Sequence, residues 1–226
     1  MPQSPTNPTV ILSSGGIRSL VAMGLTLDET DPQRVTMVHV DDGRPSRRRC
    51  ADAAARQAEA MGVGKTAELS LTHIHGRGGS RDAEGEPRPV LHAPPVLLAA
   101  VGFAPRHQAS RLVYPASYGL DPEPLSRATE RLLLIEQLAR DEAIAPDSEI
   151  DEAPTPTIDT PLFELTDPQV IELGGQLGVD FALTWTCRED APHPCQACRA
   201  CRRRKTAFER AGLADPLLGV THSAAA

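Results

Sequence analysis

The chain has 226 residues, a formal net charge of −7 and 3% aromatic residues, so its core must be built mainly from Leu, Val, Ile and Ala. This length suits one domain with at most a small appendage, because domains commonly hold ~100–200 residues. The longest apolar stretch, residues 93–104, contains two prolines and a glycine and is shorter than the ~20 residues of a membrane-spanning helix. The composition therefore excludes a membrane-spanning protein, and we expect no membrane partner.

The N-terminus and the charge distribution bear on the domain organisation, the cellular compartment and the partners of the protein. Residues 1–8 are polar and proline-rich, lack the features of a signal peptide, and predict a disordered N-terminus before a single domain over residues 9–226. Without a targeting segment, reduced cysteines indicate a cytoplasmic protein. Residues 141–159 hold seven of the 30 acidic residues and no basic one, and the remaining 23 balance the 23 Lys and Arg residues. The acidity is thus a property of one predicted linker and says little about partners.

The first half of the chain predicts strands that alternate with helices. The strands are β-branched and apolar and cover residues 9–12, 35–40 and 67–71. The helices cover residues 17–28 and 46–61. Ser46 can cap the second helix and Gly62 can end it. Residues 76–89 are rich in Gly, Arg and Pro without periodicity and predict a mobile loop.

The second half continues this alternation with one more strand. Its strand is predicted at residues 112–115, and its helices at residues 94–103, 124–140, 166–177 and 199–211. In the long helix, Leu132, Ile135 and Leu138 are expected to face the core. Thr166 and Gln169 have the spacing of a capping box at the start of the following helix.

Strand and helix in alternation predict an α/β fold, with a parallel sheet and helices on both faces. In such folds, ligands bind outside the carboxyl ends of the strands. That rule gathers residues 14–16, 41–42 and 114–117 around one crevice. The crevice is the first place in which to look for a functional site.

Four of the five cysteines lie close together near the C-terminus. They are Cys187, Cys195, Cys198 and Cys201, with the spacing C-x7-C-x2-C-x2-C. Two overlapping C-x-x-C pairs with a fourth thiol at loop distance predict a tetrahedral zinc site, and four protein ligands make it structural. Free or disulfide-bonded cysteines are the alternative, which the spacing disfavours. His193 lies between two prolines and is a weaker ligand candidate.

Cys50 follows three arginines that could lower its thiol pKa, but an ordinary thiol is the simpler interpretation.

A glycine-containing loop follows the first predicted strand, with the sequence Ser14-Gly15-Gly16-Ile17-Arg18-Ser19. Two glycines allow the backbone to approach a bound phosphate, and the start of the next helix supplies free N–H groups and a positive dipole. The same sequence is also typical of an ordinary tight turn. Considered alone, the loop leaves both interpretations open.

Together, the loop and the cysteine spacing resemble the 7-cyano-7-deazaguanine synthases, a QueC-like family of pyrophosphatase-loop ATP enzymes. The resemblance lies in four segments, residues 14–19, 40–43, 159–162 and 183–204. It implies a Rossmann-like fold (adenine nucleotide alpha hydrolase-like), a parallel sheet with helices on both faces and a zinc-binding segment at residues 184–205. Further implications are an ATP-dependent ligase that activates a carboxylate, and amide and nitrile formation on a 7-deazaguanine-type substrate in a queuosine-type pathway.

The resemblance also implies site residues, cofactors and partners. ATP and its phosphates would contact Ser14, Gly15, Gly16, Arg18, Ser19 and Asp41. Structural Zn²⁺ would be held by the four cysteines, and Mg²⁺ would accompany ATP in an active enzyme. The expected partner is a small purine-like substrate, and a homodimer is compatible with the resemblance. No catalytic side chain is assigned.

Three segments depart from the family pattern. Arg18 stands where the family has an aspartate, and a guanidinium cannot ligate a cation. Arg18 could instead pair directly with a phosphate or another anion. We favour lost or altered chemistry, which leaves a second hypothesis: an inactive relative that binds an anionic or purine-like ligand or a protein partner. Residues 90–95 and 114–127 also differ, so the substrate can differ too. A tRNA-modifying enzyme would need an RNA-binding extension, and none is visible.

The remaining polar motifs have simpler interpretations. His73 and His75 are predicted to be loop residues with no metal role. His92 could make a polar contact beside the crevice, but an incidental position is the simpler interpretation. Residues 202–205, Arg-Arg-Arg-Lys, adjoin four thiolates whose negative charge favours nearby arginines. Aromatic residues are not interleaved with them, so no nucleic-acid partner is expected. Trp185 is expected to pack beside the metal loop.

Overall fold

A computed structural model describes residues 8–72, 93–143 and 156–218. The sequence-based predictions for residues 1–7, for the loop at 76–89 and for most of the acidic linker lie outside these ranges. His73, His75 and His92 lie outside them as well. In the described part of the chain, no helix combines the length and apolarity needed to cross a bilayer.

Five parallel strands form the sheet, in the order β3-β2-β1-β4-β5. They are β1 Thr9–Ser13, β2 Val35–Asp41, β3 Lys65–Ser70, β4 Arg111–Val113 and β5 Thr157–Asp159. The central strand β1 is buried along its whole length, as expected of a parallel strand covered on both faces. The predicted parallel α/β sheet of Rossmann-like type is confirmed. The three-residue strand β5, beside a proline-containing acidic segment, was not predicted.

Among the residues that the structure describes, six α-helices cover the two faces of the sheet. They are α1 Ile17–Glu29, α2 Arg47–Ala60, α3 Ala93–Phe103, α4 Pro122–Ala143, α5 Asp167–Gln176 and α6 Arg199–Ala211. Side chains of α1, α2, α5 and α6 pack with Ile11 into one apolar cluster. Those of α3 and α4 pack with Val10 and Leu12 into the other. The alternation of side chains along β1 therefore supplies both cores.

Helix α4 corrects one sequence-based expectation. Its inward-facing stripe has coiled-coil-like spacing and contains the buried Ala128 and Ile135 and the partly buried Leu132 and Ala139. Leu138 was expected to face inward but is 53% exposed. Because residue 139 continues the 128-132-135 stripe, residue 138 is rotated about 100° away from it. The capping box of α5 is confirmed, since the Thr166 N–H donates to Gln169 Oε1 at 2.9 Å.

Two adjacent glycines in α5 provide a test of this packing. A Cβ at Gly174 would lie 2.5 Å from Phe181 Cζ and 2.8 Å from Val21 Cγ2, both in the core. We expect Gly174→Ala to lower the free energy of unfolding by about 1–3 kcal/mol, because the core must shift to admit the methyl group. Urea unfolding followed by circular dichroism measures this loss.

The matched control is Gly175→Ala in the same helix. A Cβ there would lie 3.2 Å from Leu213 Cδ1, and Leu213 is 42% exposed and can move. This variant should be neutral or more stable by up to about 1 kcal/mol, since alanine favours the helix. Equal losses in the two variants would contradict the described packing of α5.

Candidate functional site

Two adjoining cavities lie at the carboxyl ends of β1, β2 and β4. Their volumes are about 280 Å³ and about 480 Å³, and they are called here the first and second cavity. Both are lined by Ser14, Arg18, Arg44, Pro115 and Arg203. The second cavity is also lined by Asp42 and by the segment after β4 that was predicted to border the crevice. The structure therefore joins the predicted segments in one crevice.

The loop between β1 and α1 has a backbone that requires glycine. Gly15 has φ 69°, and a Cβ on it would lie 2.2 Å from the carbonyl oxygen of Cys50. The loop is closed by its own serines, since the Gly15 N–H donates to Ser13 Oγ at 3.1 Å and the Ser14 N–H donates to Ser19 Oγ at 3.0 Å. Helix α1 then begins without a side-chain cap. Its first N–H groups are therefore available to an anion.

The carbonyl oxygen of Gly15 joins three parts of the chain. It accepts hydrogen bonds from the Trp185 N–H at 2.8 Å and from Gln57 Nε2 at 2.9 Å. Gln57 is fully buried in α2, and its Nε2 also contacts the Leu183 carbonyl oxygen at 3.2 Å. The loop, α2 and the segment that leads into the cysteine cluster thus share one network. Sequence reasoning missed Gln57, because a polar residue within a helix carries no sign of burial.

The four predicted cysteines converge on one point. Their sulfur atoms all lie within 4.8 Å of one another, and all four thiols are free. Four sulfurs around one ion at the zinc–sulfur distance of about 2.3 Å would be about 3.8 Å apart, so the donor set fits a tetrahedral metal ion. His193 is not part of this group in the described residues.

Backbone N–H groups contact sulfur atoms of the cluster and favour the thiolate form that binds a metal ion. The Cys195 N–H contacts Cys187 Sγ at 3.4 Å, and the Cys198 N–H contacts Cys195 Sγ at 3.3 Å. Partial burial acts against ionisation of Cys195, but the N–H groups of Cys198 and Ala197 lower its pKa to about 7. Hydrogen bonds of this kind favour the thiolate that a metal requires.

Arg18 makes an ion pair that the sequence did not predict. Its Nη2 donates to Asp167 Oδ1 at 2.7 Å, and Arg203 Nε donates to the other oxygen of the same carboxylate. Burial would raise the pKa of Asp167, but the hydrogen bond from Arg203 and the charge of Arg18 lower it below its usual value. Asp167 is the first residue of α5, 149 positions from Arg18, so only the fold brings them together.

The two aspartates after β2 differ in their surroundings. Asp42 lines the second cavity, and Arg44 Nε contacts its two carboxylate oxygens at 2.8 Å and 2.9 Å. Burial would raise the pKa of Asp42, but Arg44 lowers it. Asp41 accepts a hydrogen bond from the Gly43 N–H at 2.8 Å. In the described part of the chain, Asp41 lines neither cavity, although it is one of the six residues predicted to contact ATP.

Buried side chains connect the cysteine segment to α6. The Arg204 side chain is 2% exposed and forms two hydrogen bonds with Asp215, at 2.7 Å and 2.8 Å. It also donates to Thr184 Oγ1 at 2.6 Å.

Trp185 packs against the cysteines as predicted, and its Nε1 has no hydrogen-bond partner among the described residues. Burial raises the pKa of Cys50, so this thiol is an ordinary core residue.

Comparison with known proteins agrees with the family resemblance that the sequence suggests. The family model described as "Queuosine biosynthesis protein QueC" matches residues 137–212, which include α5, the four cysteines and α6. A 7-cyano-7-deazaguanine synthase from Koribacter versatilis is 28% identical over 229 residues, covering 94% of this chain and 93% of the relative. The chain is therefore similar to the QueC family.

Other similarities are shorter or weaker. The synthase from Cellvibrio japonicus is 49% identical to the QueC-like chain over 61 residues, which cover 26% of this chain and 27% of the relative. A solved structure, the U34-tRNA thiolase NcsA from Methanococcus maripaludis with its [4Fe-4S] cluster, aligns at 13% identity with a TM-score of 0.48. That alignment covers 90% of the QueC-like chain and 64% of the thiolase, which is less than two thirds.

Removing one sulfur tests the metal centre. We expect Cys198→Ser to abolish stoichiometric metal binding and to lower the melting temperature, because a closed site contributes its binding free energy to folding. Elemental analysis and thermal unfolding of the purified chain measure both effects.

Cys50→Ser is the matched control, because Cys50 is buried against the cluster but lies outside the set of four. It should keep one metal ion per chain. Unchanged metal content and melting temperature in Cys198→Ser would contradict the four-sulfur site.

A second variant tests the network around the Gly15 carbonyl. Gln57→Met keeps the side-chain volume but removes the donor to Gly15 and Leu183, which should cost about 1–3 kcal/mol of stability. Urea unfolding measures this cost. Arg56→Met, at the preceding exposed position, is the control and should change stability by less than about 0.5 kcal/mol. Equal effects in both variants would count against a structural role for the Gln57 amide.

Proposed function

We propose that the chain is an ATP-dependent ligase that activates the carboxylate of a 7-deazaguanine-type substrate, as its relatives' name suggests. The observation that carries this proposal is the position of the loop. Ser14, Gly16 and Arg18 lie at the carboxyl end of the central strand, at the uncapped start of α1, and line the crevice. A triphosphate placed there would meet backbone N–H groups, a serine hydroxyl and guanidinium groups.

The proposed reaction has two activation steps. In the first, a substrate carboxylate oxygen attacks the α-phosphorus of ATP, pyrophosphate leaves, and ammonia then displaces AMP from the acyl carbon to give an amide. In the second, the amide oxygen attacks the α-phosphorus of another ATP and displaces pyrophosphate, and loss of AMP and of the two amide N–H protons gives the nitrile. Both steps develop negative charge on phosphate oxygens. Arg18, Arg44 and Arg203 line both cavities where that charge would develop.

The second cavity suits a flat heterocyclic base. Its walls include the aliphatic side chains of Leu12, Val40 and Val96 together with Tyr114. Burial raises the pKa of Tyr114, so its phenol keeps the proton and remains a hydrogen-bond donor at neutral pH. Apolar walls with a few placed donors are typical of small-molecule sites. A purine-like substrate or the adenine of ATP fits this description.

The thiolates and carboxylates of the chain indicate which metal ions it would hold. Zinc is the metal we propose for the four thiolates, with a structural role, because four protein ligands leave no open position. A reduced four-cysteine site also agrees with a cytoplasmic protein. Mg²⁺ would have to be held by a carboxylate such as Asp41, which accepts a hydrogen bond from the Gly43 N–H. When bound, it would neutralise phosphate charge.

One observation favours a second candidate function, which is binding without catalysis. Asp42 and Asp167, the carboxylates that line the cavities, are both held by arginines. An arginine-held carboxylate is a poor ligand for Mg²⁺, because its oxygens already accept charged hydrogen bonds. A QueC-like protein of this kind would bind an anionic or purine-like ligand without turning it over.

The test is AMP release by the metal-loaded chain with 7-carboxy-7-deazaguanine, ammonium and Mg-ATP. We expect AMP to form only when all components are present. Ser14→Ala should weaken ATP binding by about two- to tenfold, the value of one hydrogen bond. Calorimetry measures the binding and chromatography measures the AMP.

Ser126→Ala, an exposed serine of α4, is the control and should bind ATP like the parent chain. ATP binding without AMP release would support the second candidate. No binding of ATP to a folded, metal-loaded sample would show the ligase proposal to be wrong.

A further inference from the structure

A cluster of charges lies where the cavities meet. The Asp167 carboxylate is shared by Arg18 and Arg203, and both arginines line the first and second cavities. Arg203 and Asp167 also line a groove along α6, with a volume of about 330 Å³. These three side chains are called here the Arg18–Asp167–Arg203 triad. Their position makes the triad a neighbour of any ligand in the crevice.

The triad has a net positive charge that the neighbouring pairs lack. Asp42 faces one guanidinium, that of Arg44, and the side-chain bonds of Asp215 are to Arg204. In the triad, one carboxylate faces two guanidinium groups, which leaves one positive charge. Because Asp167 is partly buried, with 22% of its side chain exposed, that charge is less screened than at an open surface. The crevice is therefore suited to an anion.

We propose that Arg18 and Arg203 form a clamp for a pyrophosphate group that needs no divalent cation. This rests on the proposed function, since the ligand would be the pyrophosphate portion of a nucleoside triphosphate or the released pyrophosphate. The guanidinium groups would exchange the oxygens of Asp167 for phosphate oxygens, with which they form bidentate charged hydrogen bonds. The loop N–H groups and Ser14 would bind the neighbouring phosphate.

Two further observations support a cation-free clamp. The carboxylates that line these cavities are engaged by arginines, so the positive charge beside a ligand comes from protein side chains. Trp185 is 8% exposed, lines the first cavity, and has an indole N–H without a partner among the described residues. An unpartnered buried donor beside an arginine-lined cavity is what a site with a missing acceptor presents.

Asp167 has a distinct role in this proposal. Its carboxylate holds the two guanidinium groups in place and competes with the ligand for them. Neutralising it therefore has the opposite effect from neutralising the arginines. A purely structural role of the triad would make every substitution weaken binding or stability.

The test uses inorganic pyrophosphate as the probe and Trp185 as the reporter. It is the sole tryptophan of the chain, so its fluorescence reports events in the first cavity. In Mg²⁺-free buffer, with the metal of the four thiolates retained, pyrophosphate should change this fluorescence in a saturable way, and calorimetry should confirm a 1:1 complex. Arg18→Gln and Arg203→Gln should each weaken binding by about tenfold or more, whereas Asp167→Asn should tighten it several-fold.

Arg210→Gln is the matched control, since Arg210 lies in the same helix as Arg203 and lines the α6 groove but neither cavity. It should leave binding unchanged. The clamp is overturned if pyrophosphate fails to bind in the Mg²⁺-free buffer, if it binds only with Mg²⁺, or if Arg210→Gln weakens binding as much as Arg203→Gln. It is overturned as well if Asp167→Asn, in a folded sample, weakens binding.

The outcomes separate the clamp from the proposed function. Pyrophosphate binding in the Mg²⁺-free buffer without AMP release would retain the clamp and reject the ligase. AMP release with Mg-ATP, but no pyrophosphate binding in the Mg²⁺-free buffer, would retain the ligase and reject the clamp. Circular dichroism of each variant excludes misfolding as the cause of a loss.

Discussion

The carbonyl oxygen of Gly15 is the point on which the rest of the site depends. It accepts hydrogen bonds from Gln57 in α2 and from the backbone of Trp185, so it fixes the loop between β1 and α1 against both the helical layer and the cysteine segment. A side chain at residue 15 would collide with the Cys50 carbonyl, so the junction tolerates no Cβ. The geometry of the crevice follows from this packing.

The cysteine cluster and the loop are consequently parts of one structure. The Trp185 N–H that contacts the loop lies two residues before Cys187, and Arg204 holds the same segment through Thr184 and Asp215. A metal ion in a closed four-thiolate site can do no chemistry on a substrate, but it can stabilise the segment that supports the loop. The glycine loop and the cysteine motif, which are far apart in the sequence, therefore belong to one structural unit.

Charge gives the crevice its chemical character. Arginines form ion pairs with the carboxylates that line the crevice. The Arg18–Asp167–Arg203 triad retains a positive charge where the two cavities join. An aspartate at position 18, as the family resemblance predicts, would favour a cation instead. The exchange of a carboxylate for a guanidinium alters what the loop can hold without altering the parallel sheet beneath it. Fold and activity are thus specified by different residues.

The sequence by itself determined the alternating α/β pattern, the glycine loop and the four metal-type thiols, because these depend on local periodicity and short spacings. Most helix limits agreed with it to within a few residues, while the short strand β5 and the exposed Leu138 did not. Only the tertiary structure decided that Arg18 meets Asp167 and that Gln57 is buried beneath the loop. Those contacts join residues far apart in the chain, and no local pattern encodes which charges or amides the packing of helices will bring together.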